Sequence, residues 1–76
     1  MYETLIKKNK DFQEQGFFTL LDIKICYDPS KPQRIINKML RKGIIVKDKM
    51  ERRELYPDGY EGDKRLTNIY RFKNNL

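Results

Sequence analysis

The stretch Ile35-Ile36-Asn37-Lys38-Met39-Leu40-Arg41-Lys42-Gly43-Ile44-Ile45 decides the fold of this 76-residue chain. Its apolar residues recur at intervals of three and four positions, which is typical of a helix with one buried face. Gly43 ends that pattern, and residues 44–46 begin a β-branched run that predicts a strand. Upstream, Pro32 suits a first helical turn, because the amide proton that it lacks has no partner there. We therefore expect a helix over about 32–42 and then a strand.

Two further helices are expected before this stretch. Apolar residues recur at helical spacing from residue 2 to residue 12, and Gly16 provides a stop, so the first helix should span about 2–15. Thr19-Leu20-Leu21-Asp22 matches a capping box and predicts a second helix over about 20–27, after a brief extended piece. Asp28-Pro29-Ser30 ends that helix, because proline disfavours a helical conformation in the residue before it.

The last third of the chain predicts a β-hairpin. Residues 66–72 are rich in β-branched and aromatic side chains, whereas residues 57–63 combine proline, glycine and aspartate in the manner of a turn. The hairpin should span about 44–73 and carry a long polar tip. Since the chain shows no repeat and no linker, we expect residues 1–76 to form one α+β domain.

The apolar positions of these elements predict a single small core. The expected members are Leu5, Ile6, Phe12, Leu20, Ile23, Ile35, Ile36, Met39, Leu40, Ile44 and Val46. Cys26 is the only cysteine, and we expect it to pack there as a small apolar group. Tyr56 and Tyr70 should pair across the strands, while Tyr60 in the turn should be exposed.

Positive charge is concentrated in the middle of the chain. The formal net charge is +6, and residues 31–56 hold nine basic against three acidic side chains, a local balance of +6. Such a patch keeps a protein soluble, but it also attracts polyanions, because pairing with phosphates releases condensed counterions. Nucleic acid is therefore the leading class of partner.

Other functional classes find little support in the composition. The chain has no histidine and one cysteine, so a zinc site or a nucleophile activated by histidine has no ligands or base. Asp58, Glu61 and Asp63 lie close together, but their spacing does not match a calcium loop. We expect no enzymatic activity, no cofactor and no small-molecule effector. With no apolar run of spanning or signal-peptide length, we expect a cytoplasmic protein without a membrane association.

The order of elements resembles the winged helix-turn-helix family of DNA-binding proteins. The resemblance is carried by residues 35–45, which look like the end of a recognition helix followed by a basic residue, a glycine and the apolar pair that opens the first wing strand. It implies three helices followed by a two-stranded β-hairpin, the wing. It further implies that the third helix enters the major groove of duplex DNA.

The resemblance implies two groups of DNA-binding residues. On the third helix, arginine, lysine, asparagine and glutamine side chains pair with base edges, and neighbouring groups hold phosphates; the candidates are Ser30, Lys31, Gln33, Arg34, Asn37, Lys38 and Arg41. Beside the tip of the wing, the candidates are Arg52, Arg53, Lys64 and Arg65. The acidic tip at 58–63 should be repelled by phosphates, so contact is expected from the strand bodies below it.

The expected function is sequence-specific binding of double-stranded DNA by a small transcription regulator. One module contacts only a short site, so a homodimer is expected, with helix 2–15 and its neighbours Phe17 and Phe18 as the association surface. Two alternatives stay open. Winged helices also serve as adaptors between proteins without contacting DNA. The tyrosines would instead favour binding of RNA or single-stranded DNA.

Overall fold

A computed structural model describes residues 2–56, 58–59 and 61–73. These residues form five helices and a two-stranded antiparallel sheet, which is a small α+β arrangement. The helices are α1 (Tyr2–Lys7), α2 (Lys10–Gln15), α3 (Leu20–Tyr27), α4 (Pro32–Arg41) and α5 (Arg52–Leu55); the strands are β1 (Ile45–Glu51) and β2 (Leu66–Phe72). The exposure predicted for Tyr60 and the proline of the predicted turn lie outside the described residues.

The first predicted helix, 2–15, is wrong as a single element. It is divided into α1 and α2 by Asn9, whose backbone is extended (φ −69°, ψ 115°). The Asn9 side chain accepts a hydrogen bond from the Phe12 amide (3.1 Å) and so caps α2. Asparagine stabilises a helix start better than a helix interior, because its side chain satisfies an amide that has no helical partner.

The helix α3 has the predicted bounds, and its capping box is confirmed. The Thr19 amide donates to Asp22 Oδ2 (2.9 Å), and the Asp22 amide donates to Thr19 Oγ1 (3.1 Å). At the other end Asp28 adopts a left-handed conformation (φ 45°) directly before Pro29. The chain can therefore turn sharply from α3 into α4, which brings the two helices into contact.

The helix α4 ends one residue earlier than predicted, at Arg41. Lys42 follows with an amide that still bonds to the Lys38 carbonyl (3.0 Å), and Gly43 then takes a left-handed conformation (φ 72°). Glycine adopts that conformation without steric cost. The chain leaves the helix here and enters β1 at Ile45.

The predicted hairpin forms, but its connection contains a short helix. The strands pair from Ile45 with Phe72 to Glu51 with Leu66, and α5 follows β1 at once. Arginine, glutamate and leucine, which compose α5, are good helix formers. The amides of Arg52 and Arg53 still bond to carbonyls of residues 65 and 63, so the two arms of the hairpin stay paired beyond the strands.

The extended piece before α3 joins the sheet at one residue. Phe18 and Tyr70 exchange two backbone hydrogen bonds (2.9 and 2.8 Å), which places the Phe18 ring against the rings of Tyr70 and Phe72. The pairing ties the helical half of the chain to β2. It also buries Phe18 completely, so Phe18 does not belong to a free association surface.

The core differs from the prediction at its margins. Ile6, Phe12, Ile23, Ile36 and Met39 are buried as expected, whereas Leu5, Val46 and Cys26 are exposed. The α3 face that meets the core carries Ile23 and half-buried Tyr27, and Cys26 lies on another side of the helix. Four residues of the buried hydrophobic core were not predicted to be there: Phe18, Ile45, Ile69 and Tyr70.

Candidate nucleic-acid interface

The helix α4 divides its residues sharply between the core and solvent. Ile36 and Met39 are fully buried, and Pro32, Ile35 and Leu40 are half-buried beside them. The remaining residues are exposed, and all of them are polar or basic: Gln33, Arg34, Asn37, Lys38 and Arg41. The buried stripe therefore holds the helix in the fold and leaves its polar side open along its full length.

Four of the predicted site residues form one surface on this open side. Arg34, Asn37, Lys38 and Arg41 lie at positions i, i+3, i+4 and i+7, which share one face of a helix. Together they line an open depression of about 500 Å³. We call these four residues the α4 face. It contains three cationic side chains and one amide, and no carboxylate of the described residues lines the depression.

The side-chain amides of Gln33 and Asn37 on α4 are hydrogen-bonded to each other. Gln33 Nε2 donates to Asn37 Oδ1 (3.0 Å), one helical turn apart on the exposed surface. This bond uses one donor and one acceptor, so the Asn37 amino group and the Gln33 carbonyl oxygen stay available to a partner. A donor and an acceptor side by side match the edge that adenine presents in the major groove.

The start of α4 offers neutral and cationic groups. Lys31 occupies the cap position with no side-chain cap hydrogen bond, and both Ser30 and Lys31 are exposed. Amides at a helix start point out of the helix, and an anion there is favoured by the helix dipole. Gln33 also lines a second depression of about 310 Å³ with Thr67 and Tyr56, so the start of α4 adjoins the end of the sheet from which the connection between the strands begins.

The carboxylate of Glu3 contacts one lysine of α4 and the lysine that directly follows this helix. Glu3 of α1 binds Lys42 through Oε1 (3.0 Å) and Lys38 through Oε2 (3.5 Å). The hydrogen bond from Lys42, aided by the positive charge of both lysines, lowers the pKa of Glu3 below its usual value. Sequence analysis missed Glu3 and Lys42, since Glu3 lies 35 or more residues before its partners; the spacing of Lys38 and Lys42 by one helical turn was the only local signal.

The predicted wing residues are largely paired within the chain. Arg52 Nε donates to Thr67 Oγ1 (3.1 Å), and Arg53 binds Glu51 (2.7 Å). Arg65 binds Asp63 with two nitrogens (2.8 and 3.0 Å). The carboxylates of Glu51 and Asp63 offset the charges of Arg53 and Arg65. The bond to Thr67 orients Arg52 without offsetting its charge. Lys64 is exposed beside them.

The pairing with Arg65 also alters the acidic tip. Side-chain and backbone hydrogen bonds from Arg65 lower the pKa of Asp63 to about 2, so this carboxylate is ionised throughout the neutral range. Its charge is balanced locally by the arginine that holds it. Asp58 and Glu61 are exposed and keep the tip acidic.

Two tyrosines of the described part of the hairpin, Tyr56 and Tyr70, provide little surface for stacking a base. Tyr70 is buried and packs its ring on Phe18 (centroids 5.8 Å apart), and Tyr56 is half-buried. The predicted pairing of Tyr56 and Tyr70 across the strands is wrong: Tyr70 lies opposite Lys47, and Tyr56 follows α5 outside the strands.

Two general features of the described ranges bear on the other functional classes. Within residues 2–56, 58–59 and 61–73, no group of three or more histidine, cysteine, aspartate or glutamate side chains is arranged to hold a metal ion. Across the same ranges, no helix combines the length and the apolar character needed to cross a bilayer.

In comparisons with known proteins, no family model, no curated protein and no solved structure matches the chain.

Proposed function

We propose that this chain is a winged-helix domain that binds double-stranded DNA sequence-specifically, as a small transcription regulator with α4 in the major groove. The observation that carries the proposal is the α4 face, in which three cations and an amide line one open surface. The opposite side of the helix is an apolar stripe in which Ile36 and Met39 are fully buried. An α-helix fits the width of the major groove, and these residue types bond to base edges. The path from α3 through a tight turn into α4, followed by a β-hairpin, supports the family resemblance.

Within this interface the residues have different tasks. Arg34 and Lys38 pair with guanine, and the Gln33–Asn37 amide pair meets adenine. Ser30, Lys31 and Arg41 hold phosphates at the two ends of α4. Phosphate contacts fix the register of the helix on the duplex, and base contacts select the sequence.

The wing has a secondary role in this proposal. Its arginines Arg52, Arg53 and Arg65 already have partners in the chain, and the tip carries exposed carboxylates that a phosphate backbone repels. Lys64 and the strand bodies contact the backbone, while the tip stays outside the groove. The affinity therefore depends on α4 more than on the wing.

The decisive experiment is binding to random-sequence duplex DNA over a series of salt concentrations. If about five phosphates are contacted per chain, the log–log slope of the association constant against salt should be near −4.5. The double variant Arg34→Ala/Arg41→Ala should bind more weakly and show a slope shallower by about 1 to 2.

The matched control is Lys8→Ala/Lys10→Ala. It also removes two positive charges, but from exposed positions at the junction of α1 and α2 that do not line the α4 face. If both double variants lose affinity equally, only the net charge matters and the proposed interface is wrong. A flat salt slope for the wild type would reject DNA binding itself.

The adaptor function is favoured by a different observation. On α3, Leu21 and Ile25 lie one helical turn apart and are 46% and 72% exposed, which DNA binding does not explain. Exposed apolar side chains on one helix face are typical of a surface that contacts another protein. A flat salt slope would promote this function. Tighter binding to single-stranded DNA or RNA of equal length than to duplex would promote single-strand binding.

A further inference from the structure

A carboxylate lies beside the α4 face and binds two lysines that a DNA phosphate would otherwise meet. Glu3 is held between Lys38 and Lys42, with one carboxylate oxygen directed to each ammonium group. The Glu3 side chain is only 18% exposed, whereas the two lysines remain 62% and 52% exposed. The carboxylate is therefore fixed in place, and the lysines that it binds lie at the solvent surface, where a phosphate would meet them.

A carboxylate in this position resembles a DNA phosphate to a lysine. Both are anions with two oxygens that accept charge-assisted hydrogen bonds. Glu3 belongs to the same chain, so its local concentration at the lysines is high and does not depend on the DNA concentration. A phosphate that binds Lys38 or Lys42 must therefore displace an anion that is always present.

The helix α1 does not need this ion pair to stay in place. Ile6 is completely buried in the core, the Tyr27 hydroxyl donates to the Leu5 carbonyl (3.2 Å), and the Tyr2 ring meets the Tyr27 ring edge-on. Ion pairs with exposed lysines contribute little to stability, because water screens them. The packing of α1 therefore places Glu3, and the carboxylate itself is free to serve another purpose.

We propose that Glu3 is a specificity-determining residue that withholds Lys38 and Lys42 from DNA phosphates. This inference rests on the proposed DNA-binding function. Withholding two cations lowers the sequence-independent affinity, which comes almost entirely from phosphate contacts. It leaves the base contacts proposed for Arg34 and Asn37 unchanged, so a larger share of the binding free energy comes from contacts that distinguish sequences. Lys38 contacts a base only where a favourable sequence compensates for its release from Glu3.

The distribution of carboxylates supports this assignment. In the described ranges, the other ion pairs join carboxylates to arginines of the hairpin: Glu51 to Arg53, Asp63 to Arg65 and Asp48 to Arg71. The ion pairs of Lys38 in α4 and of Lys42 directly after it both use Glu3. Its removal therefore changes the charge of one edge of α4 and leaves the pairs of the hairpin intact.

The test compares Glu3→Gln with wild type on random-sequence duplex DNA, by fluorescence anisotropy across a salt series. Gaining one or two phosphate contacts should tighten binding roughly tenfold or more at 50 mM salt and steepen the log–log slope by about 1 to 2. The control is Glu14→Gln, which makes the same charge change at an exposed position on α2. It should change neither quantity appreciably, because distant charges are screened by salt.

A triple variant tests whether the effect of Glu3→Gln depends on the two lysines. In Glu3→Gln/Lys38→Gln/Lys42→Gln the gain should disappear, since the released cations are absent. An independent measurement uses Lys42→Gln alone, which should weaken duplex binding much less than Arg41→Ala because Lys42 is already occupied. Equal losses in these two variants would overturn the inference, and this comparison holds even where Glu3→Gln does not fold.

The outcomes separate the inference from the function on which it rests. If wild type does not bind duplex DNA with a salt-dependent affinity, the proposed function fails and the inference fails with it. If wild type binds but Glu3→Gln matches Glu14→Gln, the function stands and the inference is wrong. Weaker binding of Glu3→Gln with a lower melting temperature would assign Glu3 a purely structural role.

Discussion

Two isoleucines on α3, two positions apart, have opposite environments. Ile23 is completely buried, and Ile25 is 72% exposed. The helix carries apolar residues around its whole circumference, so periodicity does not identify its buried side. For the same reason Cys26 was expected in the core and is exposed. Burial at these positions depends on which side of α3 meets α4 and the sheet.

This contrast predicts a large difference between two small changes. Ile23→Ala should lower the free energy of unfolding by about 2–5 kcal/mol, because it removes buried methyl groups and leaves a cavity. Ile25→Ala should change it by less than about 0.5 kcal/mol, because the side chain is mostly in water. Urea unfolding of both variants measures the two values. Equal losses of unfolding free energy in the two variants would contradict the orientation of α3.

At the scale of elements, the division between α1 and α2 depends on one asparagine. Asn9 Oδ1 caps α2 through the Phe12 amide, and Asn9 Nδ2 donates to the Tyr27 hydroxyl (2.7 Å), which bridges to α1 through the Leu5 carbonyl. One side chain thus joins α1, α2 and α3. The apolar spacing was interpreted as a continuous helix, but six positions separate Ile6 and Phe12, which would place them about 120° apart on one helix. The division at Asn9 allows both to be buried.

We predict that Asn9→Ala lowers the free energy of unfolding by about 1–2 kcal/mol, through loss of the cap and of a partly buried hydrogen bond. Asn9→Asp should retain the cap but lose the bond donated to Tyr27, and so fall between Asn9→Ala and wild type. Lys8→Ala is the control, an exposed neighbour without a cap role. Thermal unfolding gives the order, and an Asn9→Ala variant as stable as Lys8→Ala would contradict it.

The hairpin shows that a correct prediction of the strands does not reveal which of the predicted DNA-binding residues are available to a partner. Both strands form where β-branched and aromatic residues predict them, yet residues 52–55 form α5 between them. The same segment carries two predicted DNA-binding arginines. Their side chains bond to Thr67 and Glu51, so the local structure that they enter reduces their availability to a partner.

At the scale of the whole molecule, the basic middle of the chain separates into two surfaces of different character. The α4 face presents three cations around one open depression, and the hairpin balances most of its arginines with carboxylates. The net charge of the whole chain, +6, therefore does not describe the charge of either surface. The electrostatic attraction of a polyanion is therefore expected to concentrate at α4.

The proposed homodimer also belongs to this scale. Leu5 and Tyr2 of α1 are 51% and 37% exposed, and they remain candidates for the self-association surface, whereas Phe18 is excluded by its burial. We predict that sedimentation of the free protein shows a dimer and that Leu5→Asp produces a monomer, because a carboxylate in an apolar interface loses hydration. Thr4→Asp, an exposed neighbour, should remain dimeric. A wild-type monomer at every concentration would contradict the prediction.

The sequence by itself determined the features that depend on hydrogen bonds and steric preferences within a few residues. The capping box of Thr19 and Asp22, the start of α4 at Pro32, its end before Gly43 and the two strands are all of this kind. It also determined the residues on the exposed side of α4, because a strongly amphipathic helix has only one apolar side.

Only the tertiary structure decided which distant residues meet. The contact of Glu3 with Lys38 and Lys42, the buried side of α3 and the burial of Ile69 on the face of β2 opposite to Tyr70 depend on packing between elements far apart in the chain. The physical reason is that local conformation is governed by neighbours within one helical turn, whereas burial and ion pairing depend on how whole elements pack. Thus α4 was recognisable from its own residues, and the carboxylate that restrains its lysines was not.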